Sequence, residues 1–293
     1  MKAAKMTIEI ALMAAGFPGL LSAIALQPDT LRAWDDYIRN ADSRMQTRLD
    51  GHQPFLWTDE AADRGARLKH GEILFAPVIG RGTQNVEGGL IHDWLGAAFI
   101  PNATLESLLA VVHDYGRYKE FYRPVVADSK TLVCTETDQR FFMVWQHRVL
   151  FVNAAIQGQY QARDFALDAR RGYNIAGTTQ VREIESYGKD SEYLMPPGQG
   201  NGFIWAMHSI ARYQERDGGV YLELEAIALT RDIPSSLRWL VSPVVNHLSI
   251  NSLVTSLRQT RDAVVSLPQS PERIASCTIS GHSAGNGRKG GVE

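Results

Sequence analysis

The sequence of 293 residues contains little cysteine: only Cys134 and Cys277 are present, and no C-x-x-C pair occurs. This excludes a disulfide-dense scaffold and a zinc site built on cysteine pairs. Nothing in the spacing of the two cysteines brings them together, so we expect two separate thiols rather than a disulfide.

The chain also lacks an excess of charge of one sign. Its 30 basic residues are balanced by 32 acidic residues, which gives a formal net charge of −2. Nucleic-acid binding through bulk electrostatics requires a basic excess, so this class of protein is not expected. With 44% hydrophobic and 21% charged residues, the composition is typical of a globular protein and not of a disordered chain.

Short motifs that identify a reaction are missing as well, including G-x-S-x-G, H-E-x-x-H and the P-loop. The glycine-rich segment 198–202 precedes a predicted strand, so it offers no helix N-terminus to a phosphate group. No spacing typical of metal ligands is present. We therefore expect neither a cofactor nor a metal.

Long apolar runs are missing from the chain except at its beginning. Lys2 and Lys5 precede an almost wholly apolar run over residues 10–25, which closes on an A-x-A site. This pattern predicts a signal peptide over residues 1–25, cleaved near Ala25, and an exported protein, either periplasmic or extracellular. A buried N-terminal helix and an uncleaved anchor are the alternatives, and an acidic residue just before the apolar run weakens the signal pattern.

Residues 26–89 are interpreted as an N-terminal extension. Within it, Leu31, Trp34 and Tyr37 recur at helical spacing, which predicts a helix over residues 28–50. A short apolar run near the end of the extension predicts a short strand or hairpin.

From residue 90 onward the pattern predicts one domain that ends near residue 267, followed by a disordered tail over 268–293. Its predicted elements are a strand at 90–100, a helix at 105–112, a turn or short helix at 114–122, strands at 125–135, 140–153, 157–169, 173–185, 203–215 and 220–230, and a helix to about 265. Pro243 lies inside the last helix, so a kink or a break is expected there.

Two segments of this domain carry a resemblance to a known family. Residues 98–106 and 111–122, with the pattern D-x-x-x-Y-x-x-F in the second, resemble the first strand, helix and turn of the START-like (SRPBCC) superfamily. This superfamily includes polyketide cyclases and lipid-transfer domains. The resemblance covers about residues 90–266 and implies an α+β helix-grip fold, in which a curved antiparallel sheet surrounds a long C-terminal helix. It implies no shared catalytic residues, and the extension and the loop 186–202 lie outside its pattern as candidate lids.

A ligand cavity between sheet and helix is predicted from the alternation of side chains. In the predicted hairpin of the last two strands, one face is mostly apolar and has small residues in its middle, which leaves room for a ligand or for close approach of the helix. In the strand at 140–153, the odd positions carry more aromatic surface. The candidate cavity residues are Trp145, His147, Trp205, Met207, Tyr213, Leu224, Ala226 and Ala228. A lone histidine such as His147 is more typical of a satisfied core residue than of a base.

The opposite face of the same hairpin carries charged side chains. His208, Arg212, Glu223 and Glu225 share this face, and the simplest interpretation is a set of solvated cross-strand pairs. The alternative is a buried acid–base pair that serves catalysis.

These observations favour an exported binding protein for an apolar small molecule or lipid, with a possible transient contact with a membrane surface. One alternative is a cyclase-, aromatase- or hydrolase-like enzyme acting on an aromatic or polyketide substrate, which requires His147, His208 or Glu225 inside the cavity. Another is a structural or interaction protein whose core is filled. The sequence determines neither the ligand nor the oligomeric state.

Overall fold

The structure is a computed structural model that describes residues 25–135, 137–149, 152–232 and 235–267. At residues 147–149, 152–154 and 235–246 it describes the backbone only. The predicted signal peptide, apart from Ala25, and the predicted disordered tail therefore lie outside the described residues.

The helices and strands follow the predicted order, with additional short elements in the extension. The helices are α1 (Pro28–Leu49), α2 (Ala62–Lys69), α3 (Leu105–Val112), α4 (Tyr118–Phe121) and α5 (Ser235–Ser266), with 3-10 turns at Trp57–Glu60 and Tyr115–Arg117. The strands are β1 (Leu74–Pro77), β2 (Thr83–Val86), β3 (Gly89–Pro101), β4 (Val126–Cys134), β5 (Gln139–Val149), β6 (Val152–Asp168), β7 (Arg171–Glu185), β8 (Tyr193–Leu194), β9 (Ala206–Arg216) and β10 (Gly219–Arg231).

All described strands belong to one curved antiparallel sheet of ten strands in the order β1-β3-β10-β9-β7-β6-β5-β4. Strand β2 lies beside β1 along the same edge of β3, and β8 pairs with β7. The long C-terminal helix α5 packs on one face of this sheet, mainly against β3. The predicted α+β helix-grip fold is therefore confirmed.

We call the face that α5 covers the inner face. Leu253 and Leu257 of α5 approach β3 so closely at Gly96 that an added Cβ would lie 2.6 Å from Leu257 Cδ1, so a larger residue cannot occupy this position unless these leucine side chains move. The capping box of Thr104 and Ser107 begins α3, and α3 completes the same core. Helix α5 is continuous through Pro243, so no break occurs there.

The N-terminal extension covers the opposite face of the sheet, which we call the outer face. Helix α1 buries Trp34, Tyr37, Ala41 and Met45, which lie on one stripe of the helix, against the outward side chains of β3, β9 and β10. Helix α1 therefore lies on the far side of the sheet from α5. The extension reaches α5 only at the edge of the sheet, where the Gly71 carbonyl accepts a hydrogen bond from Arg261 at 3.0 Å and Ile73 packs against the inner core, so the prediction that it is a candidate lid over the inner face is wrong.

Burial on both faces explains the mostly apolar character of β3, in which His92 and Asp93 are the polar exceptions. Every residue from Gly89 to Ile100 is buried, because even positions pack under α5 while odd positions pack under the extension. Such a continuous run is typical of a strand that is covered on both sides.

Two further findings concern the chemical state and the environment of the chain. Cys134 is disulfide-bonded, so the expectation of two separate thiols is wrong; Cys277 lies outside the described residues. No helix within the described ranges is long and apolar enough to cross a membrane.

Candidate functional site

The middle of the inner face consists of small side chains. The strand register places Ala226, Ser209, Ala176 and Ala162 in one row across β10, β9, β7 and β6. Ala211 lies in the adjacent row, opposite Leu224. We call Ala162, Ala176, Ser209, Ala211 and Ala226 the small-residue floor. Short side chains on a concave sheet leave space above them.

The burial pattern of β10 indicates that this space is not filled by the described part of α5. Outward residues such as Glu223, Glu225 and Ile227 are buried, whereas the inward Leu224 and Ala226 remain half-buried. Core strands ordinarily hide their apolar face better than their charged face. The reversal therefore marks the inner face as the less completely covered side of β10.

Aromatic side chains form one wall beside the floor. The rings of Tyr115, Phe141 and Tyr160 stack in series, with centroid distances of 4.1 and 4.8 Å and interplanar angles of 4°. Trp145 Nε1 donates a hydrogen bond of 2.8 Å to Tyr160 Oη, which fixes the edge of this wall. The turn that the family resemblance identified supplies Tyr115 and also Tyr118, whose ring meets Phe141 edge-on.

Most of the candidate cavity residues predicted from the sequence lie on the inner face. Met207 and Trp145 pack against the aromatic wall, and Tyr213 lies in the core under α5. The inward positions of β10 bring the remaining apolar candidates, Leu224, Ala226 and Ala228, into one line. His147 lies in β5 opposite Ala154, but its side chain is outside the described part of the chain.

Trp205 is the exception, because the prediction that it shares the inner face is wrong. Its ring belongs to the core on the outer face, together with Trp34 of α1 and Ile210 of β9. Trp205 precedes Ala206, the first residue of β9. The alternation of side chains therefore does not extend to this position.

The charged face of the hairpin is not solvated, and this prediction is also wrong. Arg212, Glu223 and Glu225 are only 1%, 0% and 5% exposed. Arg212 Nε donates to Glu223 Oε2 at 3.1 Å, and Arg212 Nη1 lies 3.7 Å from Glu225 Oε2. These groups lie on the outer face, so they are remote from the small-residue floor.

The extension supplies the missing partners of these buried charges. Glu223 accepts hydrogen bonds from the backbone N–H groups of Trp57 and Thr58 and from the Thr58 hydroxyl, at 2.8–3.0 Å. Arg44 of α1 bridges Glu225 at 2.8 Å and Asp93 at 3.0 Å. The network therefore fastens the extension to the sheet, a role that the composition of the hairpin alone did not indicate.

Asp93 is the member of this network with the most perturbed proton affinity. The pKa of Asp93 is raised to about 7, because burial and then the Glu225 carboxylate raise it by more than the hydrogen bond from Tyr37 and the charges of Arg44 and Arg212 lower it. Tyr37 Oη donates to Asp93 Oδ2 at 2.6 Å, and Asp93 Oδ1 has no partner among the described residues.

This pKa predicts that stability decreases as the pH rises through neutrality. The folded state holds a proton on Asp93 that the unfolded chain releases near pH 4, so this contribution to stability is lost progressively as the pH rises from about 4 to about 7 and the slope levels off above the folded pKa. From about pH 6.5 to about pH 8 the free energy of unfolding should fall by about 1 kcal/mol. Asp93→Asn should remove this slope in urea unfolding at several pH values, whereas the exposed Asp128→Asn should keep it.

Several other charged groups face the network around Asp93. The titratable and charged side chains that face the network are Tyr37, Asp42, Arg44, His208, Arg212, Glu223 and Glu225. Burial lowers the pKa of His208, so its titration destabilises the fold on the acid side, opposite in sign to Asp93. An unchanged slope in Asp93→Asn would assign the pH dependence to another group.

A buried polar cluster at one end of the inner face was missed by sequence reasoning. Asp164 of β6 accepts hydrogen bonds from Gln139 Nε2 at 2.7 Å and from Asn174 Nδ2 at 3.0 Å. The His113 Nε2 atom lies 3.0 Å from Asp164 Oδ2, and the Tyr213 hydroxyl lies 3.4 Å from Asp164 Oδ1. Burial alone would raise the pKa of Asp164, but His113, Gln139 and Asn174 together hold it below its usual value.

The signal for this cluster was present but weak. Asp164 follows Tyr160 and Ala162 at inward positions, so it is a lone carboxylate on the apolar face of a strand. Its partners come from a helix end and from three other strands. No local spacing connects such residues, and only the register of the sheet brings them together.

The loop 186–202 reaches the other end of the inner face. Glu183, opposite Ile156 in β6, accepts hydrogen bonds from the backbone N–H groups of Asn201 and Phe203 at 2.6 and 2.8 Å. Strand β8 within the loop pairs with β7. The loop is therefore attached to the sheet beside the inner face.

Metal binding finds no support in the described part of the chain. No group of three or more His, Cys, Asp or Glu side chains there is placed to hold a metal ion. The chemistry that the inner face offers is an apolar surface with a few hydrogen-bonding groups at its ends.

Comparison with known proteins yields a structural likeness only. No family model and no curated protein matches the chain. A protein from Thermus thermophilus has a TM-score of 0.42 with 11% identity, over 58% of this chain and 95% of that one. A STAR-related lipid transfer protein fragment from Xanthomonas axonopodis has a TM-score of 0.40 with 16% identity, over 63% of this chain and 99% of that one.

The aromatase/cyclase Zhui from a Streptomyces species is similar at the same level, with a TM-score of 0.40 and 13% identity over 60% of this chain and 94% of that one. These values assign neither an activity nor a ligand to this chain. Its START-like helix-grip fold is defined by its own sheet order and by the position of α5.

Proposed function

We propose that the protein binds an apolar small molecule or lipid on the inner face of the sheet. The observation that carries this proposal is the half-buried state of the inward side chains Ser209, Leu224 and Ala226, although the charged outward side chains beside them are buried. A ligand that covers these atoms removes apolar surface from water, which stabilises the complex by roughly 25 cal/mol per Å².

An acid–base enzyme, the alternative function, would require His147, His208 or Glu225 inside the cavity, and two of these residues do not lie there. His208 and Glu225 lie on the outer face, and Glu225 is held there by Arg44. Asp164, at the inner face, already has hydrogen bonds from Gln139 and Asn174, so it is better suited to anchoring other side chains than to accepting a substrate proton. The alternative of a filled core is disfavoured by the half-buried members of the floor, Ala176, Ser209, Ala211 and Ala226.

Ligand exchange requires a route to the inner face, and the loop 186–202 is our candidate for the element that opens. Its neighbourhood carries exposed aromatic side chains, with Tyr193 at 55% and Phe203 at 37% exposure. Exposed rings of this kind suit a transient contact with a membrane surface, from which a lipid could be taken up. Flotation with lipid vesicles would show binding that Tyr193→Ser and Phe203→Ser weaken if this contact is made.

Native mass spectrometry tests the binding proposal. The protein is incubated with a panel of lipids and aromatic compounds, and the masses of the complexes are recorded at increasing ligand concentration. We expect saturable binding of one ligand per chain for at least one apolar class. Absence of binding across the panel, with the protein folded, would remove the proposed function.

We also propose that the protein is exported. The pattern of residues 1–25 supports this proposal, and so does the disulfide-bonded Cys134, because disulfides persist in oxidising compartments. Expression of the full chain in a bacterium with a periplasm should give an exported product whose intact mass lacks residues 1–25. A full-length product that stays in the cytoplasm would contradict the proposal.

A further inference from the structure

His92 is a buried polar side chain on the inner face, and binding of a purely apolar ligand would give it no role. It occupies an inward position of β3 directly opposite the half-buried Ala228 of β10, and it is 3% exposed. His92 Nε2 lies 3.1 Å from the Thr230 hydroxyl oxygen, and Nδ1 has no hydrogen-bond partner within the described part of the chain.

The surroundings of Thr230 favour one tautomer of His92. The Thr230 hydroxyl has a single hydrogen, and two backbone carbonyls can accept it, that of Arg231 at 3.2 Å and that of Leu90 at 3.4 Å. We assign the hydrogen to one of these carbonyls, and with this assignment the hydroxyl accepts from His92 at 3.1 Å and Nε2 carries the imidazole hydrogen. Nδ1 is left as an acceptor, and burial lowers the pKa of His92 to about 4, which keeps this lone pair free at neutral pH.

A second acceptor lies on the same face at Asn174, which is half-buried opposite Ala211. Asp164 can only accept hydrogen bonds, so it fixes the amide of Asn174 with its nitrogen toward the carboxylate. The carboxamide oxygen of Asn174 is thereby left as an acceptor.

Among the described residues of the central strands, no positive charge lies on the inner face. The arginines of β3, β6, β7, β9 and β10 all occupy outward positions, and these strands contain no lysine; the residues are Arg163, Arg171, Arg182, Arg212, Arg216 and Arg231. The charged side chains at inward positions of the same strands are the carboxylates Asp164, Glu183, Glu185 and Glu215. An anionic head group placed on these strands would meet acceptors and carboxylates and no cation from their described residues.

We infer that the ligand of this site is an apolar molecule that carries a hydroxyl group, donated to His92 Nδ1, and that acidic molecules of the same shape are rejected. This inference rests on the proposed function and narrows its ligand class. A buried acceptor without a partner is costly, so a ligand that supplies the missing donor gains affinity over one that does not. His92 would then be the residue that determines specificity.

Three probes that differ only at one end test this inference. In a dodecyl series these are 1-dodecanol, its methyl ether and dodecanoate, and in a 2-naphthyl series they are the naphthol, its methyl ether and the naphthoate. At about pH 7.5, we expect the alcohol of the series that binds to have an affinity about tenfold higher than that of its methyl ether. The carboxylate should bind more weakly than either.

Substitution of His92 should remove this preference. His92→Phe should lower the affinity for the alcohol to that for the ether and leave the ether unchanged, whereas the exposed His52→Phe should preserve the preference. The ¹⁵N chemical shift of His92 Nδ1 in the native protein gives a readout that does not depend on a variant. It should move when the alcohol binds and stay unchanged when the ether binds.

The outcomes separate this inference from the proposed function. Equal affinity for alcohol and ether, with an unmoved Nδ1 signal, would overturn the role of His92 while the binding site remains. A carboxylate that binds as tightly as the alcohol would overturn the rejection of acidic ligands. Failure of all probes in both series to bind would count against the proposed function itself.

Discussion

Replacing Ala226 by tryptophan is expected to abolish the uptake of apolar ligands by a protein that remains folded. Ala226 belongs to the small-residue floor, between Trp94 of β3 and Ser209 of β9, and its side chain is half-buried. An indole at this position occupies the space that we assign to the ligand. Overpacking of this kind costs about 1–3 kcal/mol, which a stable domain tolerates.

The matched control is Ala169→Trp, which makes the same chemical change in the exposed turn between β6 and β7. Native mass spectrometry should record ligand complexes for this control and none for Ala226→Trp. Ala226→Leu, with a smaller side chain, should give a partial loss. If Ala226→Trp takes up ligand as the native protein does, the ligand does not lie on the small-residue floor.

Replacing Arg212 by methionine is expected to be the most destabilising of the single substitutions considered for this protein. Arg212 is the only cation within reach of Glu223 among the described residues, and both side chains are almost fully buried. Its removal leaves a carboxylate without a counter-charge under the extension. Breaking a buried ion pair in this way costs about 3–5 kcal/mol of the free energy of unfolding.

Urea denaturation checks this value, with Arg67→Met as the control. Arg67 pairs with Glu72 on the surface, where both side chains are about half exposed, so its loss should cost at most about 1 kcal/mol. The double variant Arg212→Met with Glu223→Met removes both charges and should recover part of the loss. A cost for Arg212→Met no greater than that of the control would contradict the structural role of the network.

The helix-grip architecture could be predicted because its signals are local. The capped helix α3, the turn that contains Tyr118, the hairpin around Asp217 and the long apolar helix each follow from residues that are close in sequence. Such periodicities identify the elements, and the resemblance to a known family supplied their arrangement.

The inner face was predictable for a related reason. Once the hairpin turn is identified, strand alternation assigns Met207, Tyr213 and Ala226 to one face without any knowledge of the tertiary structure. The same rule fails at Trp205, because Ala206 is the residue paired with Leu229 while Trp205 N–H also donates to the Leu229 carbonyl, at 2.8 Å, so the regular alternation is interrupted there. The rule also cannot decide whether one face or both faces are covered, so it does not reveal that the charged face is buried.

The covering of the outer face depends on contacts across long stretches of sequence. Arg44 and Glu225 are 181 residues apart, and the Thr58 hydroxyl reaches Glu223 across 165 residues. The long apolar run of β3, interrupted only by His92 and Asp93, is the available signal for a strand covered on both faces. A carboxylate inside such a run indicates a buried partner elsewhere in the chain.

Methyl NMR of the protein labelled at alanine tests the central claim most directly, because it locates the ligand on one face of the sheet. On titration with an apolar ligand that binds in native mass spectrometry, the methyl signals of Ala176, Ala226 and Ala228 should shift. Those of Ala41 and Ala97, which are buried on the outer face, should remain unchanged. Shifts confined to the outer-face alanines, or none at any alanine on saturation, would contradict a binding site on the inner face.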